Sequence, residues 1–297
     1  MLRTWSIAAA LAAAALSLPD SSLAVKQGAA WRVWWSARSA PARWQPSDTA
    51  RLGAIDWRRG AAGIEWSEIV LAGSGEAWRT RVIVARIDPS RVRLRLDTAF
   101  ARGGAAAWTV DRVRDADVFA INAGQFASSM PWGQVLLDGT QWLSAGRGPL
   151  ASAVAVDSSG AVRLLHGAAA PLRGTTWAFQ SYPTLLRSGE VPAELQAADR
   201  GIDVEHRDAR AAIGVMADGR VVVALTRFDA LGATLGFIPF GLTVPEMAAV
   251  MGALGARDAV MLDGGISGQL FLREANDAAR TWRGSRNVPL ALVAASK

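Results

Sequence analysis

Arg81-Val82-Ile83-Val84-Ala85-Arg86-Ile87-Asp88-Pro89-Ser90-Arg91-Val92-Arg93-Leu94-Arg95-Leu96 is the stretch from which the fold is best read. Its first seven residues form an apolar run rich in β-branched side chains, the pattern of a buried strand. Asp88-Pro89-Ser90 has turn chemistry. Val92 to Leu96 then alternates apolar and basic residues with a period of two, which predicts a second, half-exposed strand.

The same grammar recurs outward along the chain. Asp138-Gly139 follows Val135-Leu136-Leu137, and Asp157-Ser158-Ser159-Gly160 separates 153–156 from 162–165. Asp218-Gly219 separates 213–216 from 221–225. Asp and Gly accept the positive φ of tight turns, so each is a hairpin signal. One helix is marked clearly: Thr243 and Glu246 have capping-box spacing, Pro245 sits in the first turn, and Gly255 closes a run with Met247, Val250, Met251 and Leu254 on one face. A second helix is predicted over Thr109–Asp117, leading into a strand over Val118–Ile121. The expected fold class is therefore α+β: a mixed or antiparallel sheet with hairpins and a few flanking helices, in one domain over 64–297. Residues 25–63 carry Trp31, Trp34, Trp35, Trp44 and Trp57 with weak periodicity, and read as a Trp/Arg-rich leader or cap segment, expected to be either loosely packed or a cap.

Composition narrows the chemistry. The 297 residues contain no cysteine, which excludes thiolate metal sites, disulfides and a thiol nucleophile. His166 and His206 are the two histidines and lack metal-ligand spacing, so no metal and no cofactor are expected. No Gly-x-Ser-x-Gly elbow is present. The net charge of +6 comes almost wholly from arginine and suits an anionic partner. No nucleic-acid module is recognisable. At the N-terminus, Met1-Leu2-Arg3, an apolar run from Ile7 to Leu18 and the small residues Ser22-Leu23-Ala24 make a signal-peptide pattern over 1–24. Cleavage after Ala24 and export to the periplasm or medium are expected. The run is shorter than the ~20 residues of a membrane span, so no span is expected in the mature chain.

Three segments end an apolar run in a polar residue beside glycine: Ile121-Asn122-Ala123-Gly124-Gln125-Phe126, Arg210-Ala211-Ala212-Ile213-Gly214, and Leu262-Asp263-Gly264-Gly265-Ile266-Ser267. Such ends can present a side chain at a cleft with backbone amides beside it. With Pro131-Trp132-Gly133, Tyr182-Pro183-Thr184-Leu185-Leu186, Gly241-Leu242-Thr243 before Glu246, and Arg286-Asn287-Val288-Pro289, they resemble the phosphodiester glycosidase family in content and order. The resemblance runs from about Ile64 to the C-terminus. Ala123 and Gln125 stand where that family has glycine and an aromatic residue. Ile266 stands at the third glycine of its Asp-Gly-Gly-Gly motif, where a β-branched residue disfavours positive φ.

The resemblance implies hydrolysis of a sugar 1-phosphodiester, with the glycosidic bond broken and a phosphomonoester released. It implies Asp263, Arg210 and Asn122 as catalytic residues. Asp263 would be the carboxylate facing an oxocarbenium-like transition state. Arg210 would hold the phosphate through its guanidinium fork, and Asn122 would hydrogen-bond the sugar or phosphate. Gly124, Gly264, Gly265, Ser267 and Trp132 are candidate substrate-binding residues. A second carboxylate is expected but not assigned, because Asp138 and Asp218 lie in turns and Glu246 in the capping box. The expected partner is a carbohydrate or phosphoglycan, of the envelope or of an exopolysaccharide. The alternative is a non-catalytic glycan-binding or exopolysaccharide-assembly protein, which Ile266 and the basic charge favour.

Overall fold

A computed structural model describes residues 21–73, 79–101, 108–167, 174–195, 202–229 and 240–297. The basic start and apolar run of the signal pattern lie outside these residues. The chain opens with β1 (Ser22–Gln27), β2 (Ala30–Ser36), β3 (Arg58–Arg59), β4 (Ile64–Gly73) and β5 (Thr80–Ile87). Next come β6 (Val92–Thr98), β7 (Asp117–Asn122), β8 (Phe126–Ala127), β9 (Met130–Pro131), β10 (Val135–Leu137) and β11 (Thr140–Leu143). β12 (Ser152–Asp157), β13 (Val162–His166), β14 (Thr175–Ser181), β15 (Thr184–Leu186), β16 (Ala211–Met216) and β17 (Val221–Phe228) follow. The helix α1 (Val244–Ala253) precedes β18 (Ala256–Leu262), β19 (Leu270–Arg273), β20 (Ala279–Trp282) and β21 (Leu290–Ser296).

A nine-stranded sheet is ordered β15-β18-β16-β17-β5-β4-β1-β2, with β3 added beside β4. Two five-stranded sheets are ordered β11-β10-β14-β12-β13 and β20-β19-β7-β21-β6. Alternate residues of the large sheet's strands enter two different cores. Ile83, Ala85, Ile87, Ile213 and Val223 face Phe119, Val154, Phe179 and Leu292 of the smaller sheets. Val82, Val84, Ala212 and Val222 face α1 and the tryptophans of the N-terminal segment. Burial on both faces explains why 81–87 reads as an unbroken apolar run. By contrast β6, at the edge of its sheet, alternates. The turn at 88–90 thus carries the chain from one sheet to another: β5 pairs with β4 and β17, whereas β6 pairs with β21.

The expected α+β class does not hold: the fold is sheet-rich, with α1 the only α-helix among the described residues. The helix expected over Thr109–Asp117 is a single 3-10 turn, Val110–Arg112. That segment offers two valines as an apolar face. Its Val110 N–H goes to the side chain of Gln269 (2.9 Å), and Val113 leaves in an extended conformation. A short helix without a buried face has too little packing to offset nucleation. The three Asp/Gly-turn hairpins do form, as β10–β11, β12–β13 and β16–β17. So does the capped helix: the Glu246 carboxylate accepts from Thr243 N–H and the Thr243 hydroxyl from Glu246 N–H.

Nor is the tryptophan-rich stretch loosely packed. Trp34, Trp35, Trp44 and Leu52 are buried in the core they share with α1. Gly252 of α1 lies so close that a Cβ there would come 2.3 Å from the Trp44 ring. The stretch covers a helix that would otherwise expose an apolar back, since every α1 residue except Pro245 is buried. A chain of polar side chains crosses between two of the sheets. The His166 ring meets Asp258 (2.9 Å) on one nitrogen and the Ser152 hydroxyl (2.8 Å) on the other. Ser152 is wholly buried and also bonded to Thr184, so these contacts tie the sheets together and present no nucleophile. No described helix is long and apolar enough to cross a membrane.

Candidate active site

The strand ends singled out by sequence meet at one end of β18. In register, Ala211 lies beside Leu262, which brings Arg210 next to Asp263. β7 arrives from a different sheet, and its last residue supplies the link. Asn122 Nδ2 donates to the Asp263 carbonyl (2.7 Å), and Asn122 Oδ1 accepts from Gln269 N–H (3.0 Å). The Asp263 N–H in turn donates to the Gly124 carbonyl (2.9 Å). Asn122 is 1% exposed, so its amide is directed at backbone and fixes the loop that carries Asp263.

The glycines serve the same loop. A Cβ on Gly264 would stand 2.2 Å from the Ala209 carbonyl oxygen, and Gly265 N–H donates to that oxygen (2.6 Å). Gly265 has φ +53° and Gly124 φ +68°, the region glycine tolerates. The tight approach at Gly264 and Gly265 is therefore chain against chain. Ile266 has no positive φ; it lies in a 3-10 turn with its side chain 46% exposed. The strain expected from isoleucine at this position is absent.

Charges are dense here. Burial pushes the Asp263 carboxyl above its ordinary range, and nearby Asp208 adds to the push. The Ser267 hydroxyl, bonded to the carboxylate, and the charge of Arg286 pull the other way. Arg210 is pushed down by burial, against the pull of Asp208, Asp203 and Glu246. Its Nε donates to the Leu242 carbonyl (2.8 Å) and Nη2 to that of His206 (2.5 Å). Leu242 lies just before the capped helix, so the helix start orients Arg210. Glu246, fully buried, accepts from both terminal nitrogens of Arg207 (2.5 and 2.7 Å). Beneath the loop, Arg227 donates to the Gly268 and Arg283 carbonyls, and burial lowers its guanidinium to about 10.

Two residues here were not assigned from sequence. Asp208 lies against the loop: a Cβ on Gly265 would stand 3.1 Å from Asp208 Oδ2. It sits two residues before Arg210, a same-face spacing in extended chain, and that spacing was the available signal. Arg286 belongs to the quoted closing segment. It is exposed, lies over the Phe126 ring (4.8 Å) and acts on Asp263. Trp132 is joined to the loop through Gln125. Its backbone N–H donates to the Gln125 carbonyl, and its ring packs edge-on to Tyr182 at 5.8 Å. Gln125 Nε2 donates to the Tyr182 carbonyl, which joins this aromatic pair to the loop. Among the described residues no cluster of His, Cys, Asp or Glu could hold a metal ion.

Two carboxylates and two arginines thus gather at one end of β18, with an aromatic pair joined to the same loop. A family model described as phosphodiester glycosidase matches residues 113–295, a span that contains every one of these groups. No curated protein matches the chain. The catalytic domain of zebrafish N-acetylglucosamine-1-phosphodiester alpha-N-acetylglucosaminidase, auto-inhibited by its pro-peptide, shares the fold. It is 15% identical, with a TM-score of 0.61 over 86% of this chain and 95% of that one. A Burkholderia pseudomallei protein named as exported is 18% identical, with a TM-score of 0.53 over 73% of this chain and 74% of that one.

Proposed function

The chain belongs to the phosphodiester glycosidase family, and on that premise we propose that it hydrolyses a sugar 1-phosphodiester to free sugar and a phosphomonoester. The observation that carries the proposal is the placement of Asp263 and Asp208 on one loop contact, beside Arg210 and Arg286. A phosphomonoester is a good leaving group, so the bond needs charge stabilisation more than protonation of the departing oxygen. Arg286, exposed, takes the phosphoryl oxygens, where a guanidinium fork can pair with two of them. Arg210, whose Nε and Nη2 are held by the Leu242 and His206 carbonyls, adds its charge and its remaining Nη1. Asp263 faces the anomeric carbon as its bond to oxygen stretches and positive charge grows. Asp208 is the second carboxylate and directs the incoming water. Asn122 acts through Asp263 as a positioning residue. Trp132 and Tyr182 offer the apolar face on which a sugar ring stacks. The non-catalytic alternative rested largely on Ile266, whose backbone is unstrained.

Product identity tests this reading. Incubation with a panel of sugar 1-phosphodiesters is expected to yield reducing sugar plus phosphomonoester. Sugar 1-phosphate as the product would mean that the phosphorus–oxygen bond on the other side is cut, and no turnover across the panel would favour the glycan-binding alternative.

The pH profile gives a second test. The acidic limb of kcat/KM is expected above the ordinary aspartate value of ~3.9, because activity falls as the raised Asp263 carboxyl gains its proton. Arg286→Gln removes a charge that favours the carboxylate, so the limb moves to higher pH. An unmoved limb would assign the titration to another group.

The substrate class we assign is an envelope or exopolysaccharide glycan, in keeping with export. The structure bears on where an exported chain would be cut. Leu23 and Ala24 are fully buried in β1, paired with both β2 and β4. Cleavage after Ala24 would remove half of that strand. The mature N-terminus is therefore expected before Ser22, and intact-mass measurement of the exported protein decides it. A mature chain starting at Val25 would show that the first half of β1 is dispensable.

A further inference from the structure

The end of the large sheet opposite Asp263 holds a second site. β16 starts beside Asp263 and finishes at Met216, across from Ala256, before the turn that carries Arg220. Six strand residues separate the two ends by about 20 Å. At that far end lies a cleft of about 490 Å³, within the ~300–1,000 Å³ of small-molecule sites. Its charged lining is Arg59, Arg86, Arg91, Arg220, Glu65 and Asp88, and Asp218 is bonded to Arg220 from outside the lining (2.8 Å): four guanidinium groups against three carboxylates, one positive charge in excess.

The two lining carboxylates are already engaged. Glu65 Oε2 is shared between Arg86 (3.0 Å) and Arg220 (3.5 Å). Asp88 Oδ1 accepts from the N–H and the hydroxyl of Ser90 (2.9 and 2.6 Å). Arg86 is the informative residue. The Trp57 ring covers its guanidinium at 3.7 Å, and its side chain is 19% exposed. Its Nε is buried with no hydrogen-bond partner, a costly state for a charged donor. Burial, aided by the charge of Arg220, pushes this guanidinium down. Glu65 is shared with Arg220 and leaves this donor open, and a bound anion would add the missing acceptor charge to the cluster.

We propose that this cleft binds a phosphomonoester dianion, free or carried on a small sugar. The cleft carries net positive charge, and the several oxygens of a phosphomonoester can accept from more than one arginine at once. The site is separate from the Asp263 loop and stands whether or not the proposed hydrolysis is correct.

Calorimetric titration of the whole protein with glucose 6-phosphate, inorganic phosphate and glucuronate at low salt tests it. Wild-type protein is expected to bind glucose 6-phosphate. Arg86→Gln with Arg91→Gln should weaken binding at least tenfold, and Arg210→Lys should leave it unchanged. Arg59→Gln with Arg91→Gln alters two exposed side chains only and should show the same loss if the first pair unfolds. Inorganic phosphate binding as tightly as the sugar phosphate assigns the site to the free ion; weaker binding assigns it to a phosphosugar. The proposal is overturned if wild-type protein does not bind at millimolar ligand. It is also overturned if both arginine pairs bind normally, if Arg210→Lys abolishes binding, or if glucuronate binds as tightly as either phosphate.

Discussion

Asp263→Asn is expected to fold like the wild type and to lose kcat by roughly two to four orders of magnitude on a confirmed phosphodiester substrate. The loop that holds residue 263 depends on its main chain: the carbonyl is held by Asn122 and the N–H by Gly124. Neither bond involves the carboxylate. Replacing a buried carboxyl with an amide of the same shape also relieves the repulsion from Asp208. The melting temperature should therefore hold or rise while turnover collapses. KM should change much less than kcat, because the lost interaction grows as the glycosidic bond breaks. Wild-type turnover by a folded Asp263→Asn protein would leave the Asp-Gly-Gly segment with a purely structural part.

The largest loss of stability is expected from Glu246→Ala. The Glu246 carboxylate is fully buried, accepts from both terminal nitrogens of Arg207 and caps Thr243 N–H. Truncation removes the carboxylate that a nearly buried guanidinium faces, the case that costs about 3–5 kcal/mol. For a chain of this length that corresponds to a fall in Tm on the order of 10 °C. Because Leu242, next to the cap, holds Arg210 Nε, activity should fall as well. Glu246→Gln keeps the shape and part of the bonding, so it should fall between the two. A Tm within one or two degrees of wild type for Glu246→Ala would mean that the pair contributes little beyond its own desolvation cost.

The parts of this molecule legible in sequence are those written in short range. An Asp-Gly turn between apolar runs, or Thr243 and Glu246 three residues apart, specifies its structure within a few residues. Partner choice among strands is not written that way. Residues 81–87 are apolar on both faces, so nothing local says that β5 and β6 part company at Pro89. The tryptophans at 34, 35 and 44 lack periodicity because they cover a helix two hundred residues away.

The site divides similarly. Asn122, Arg210 and Asp263 stood out because each borders an apolar run beside glycine. Asp208 did not, since Arg207-Asp208-Ala209-Arg210 reads as charged surface until Gly265 is placed against it. Asn122 stood out for a sound reason, yet its polar atoms point at backbone rather than outward, so it holds the loop instead of a ligand.

The contact between Gly264 and the Ala209 carbonyl has a consequence for inheritance. A descendant that had lost all chemistry would still be held to glycine at 264, because any side chain there collides with a neighbouring strand. Selection for folding alone would preserve the Asp-Gly-Gly signature's glycines long after selection for turnover had lapsed. A lineage's loss of function would then show first in the charged side chains at Asp208, Asp263 and Arg286 rather than in these glycines.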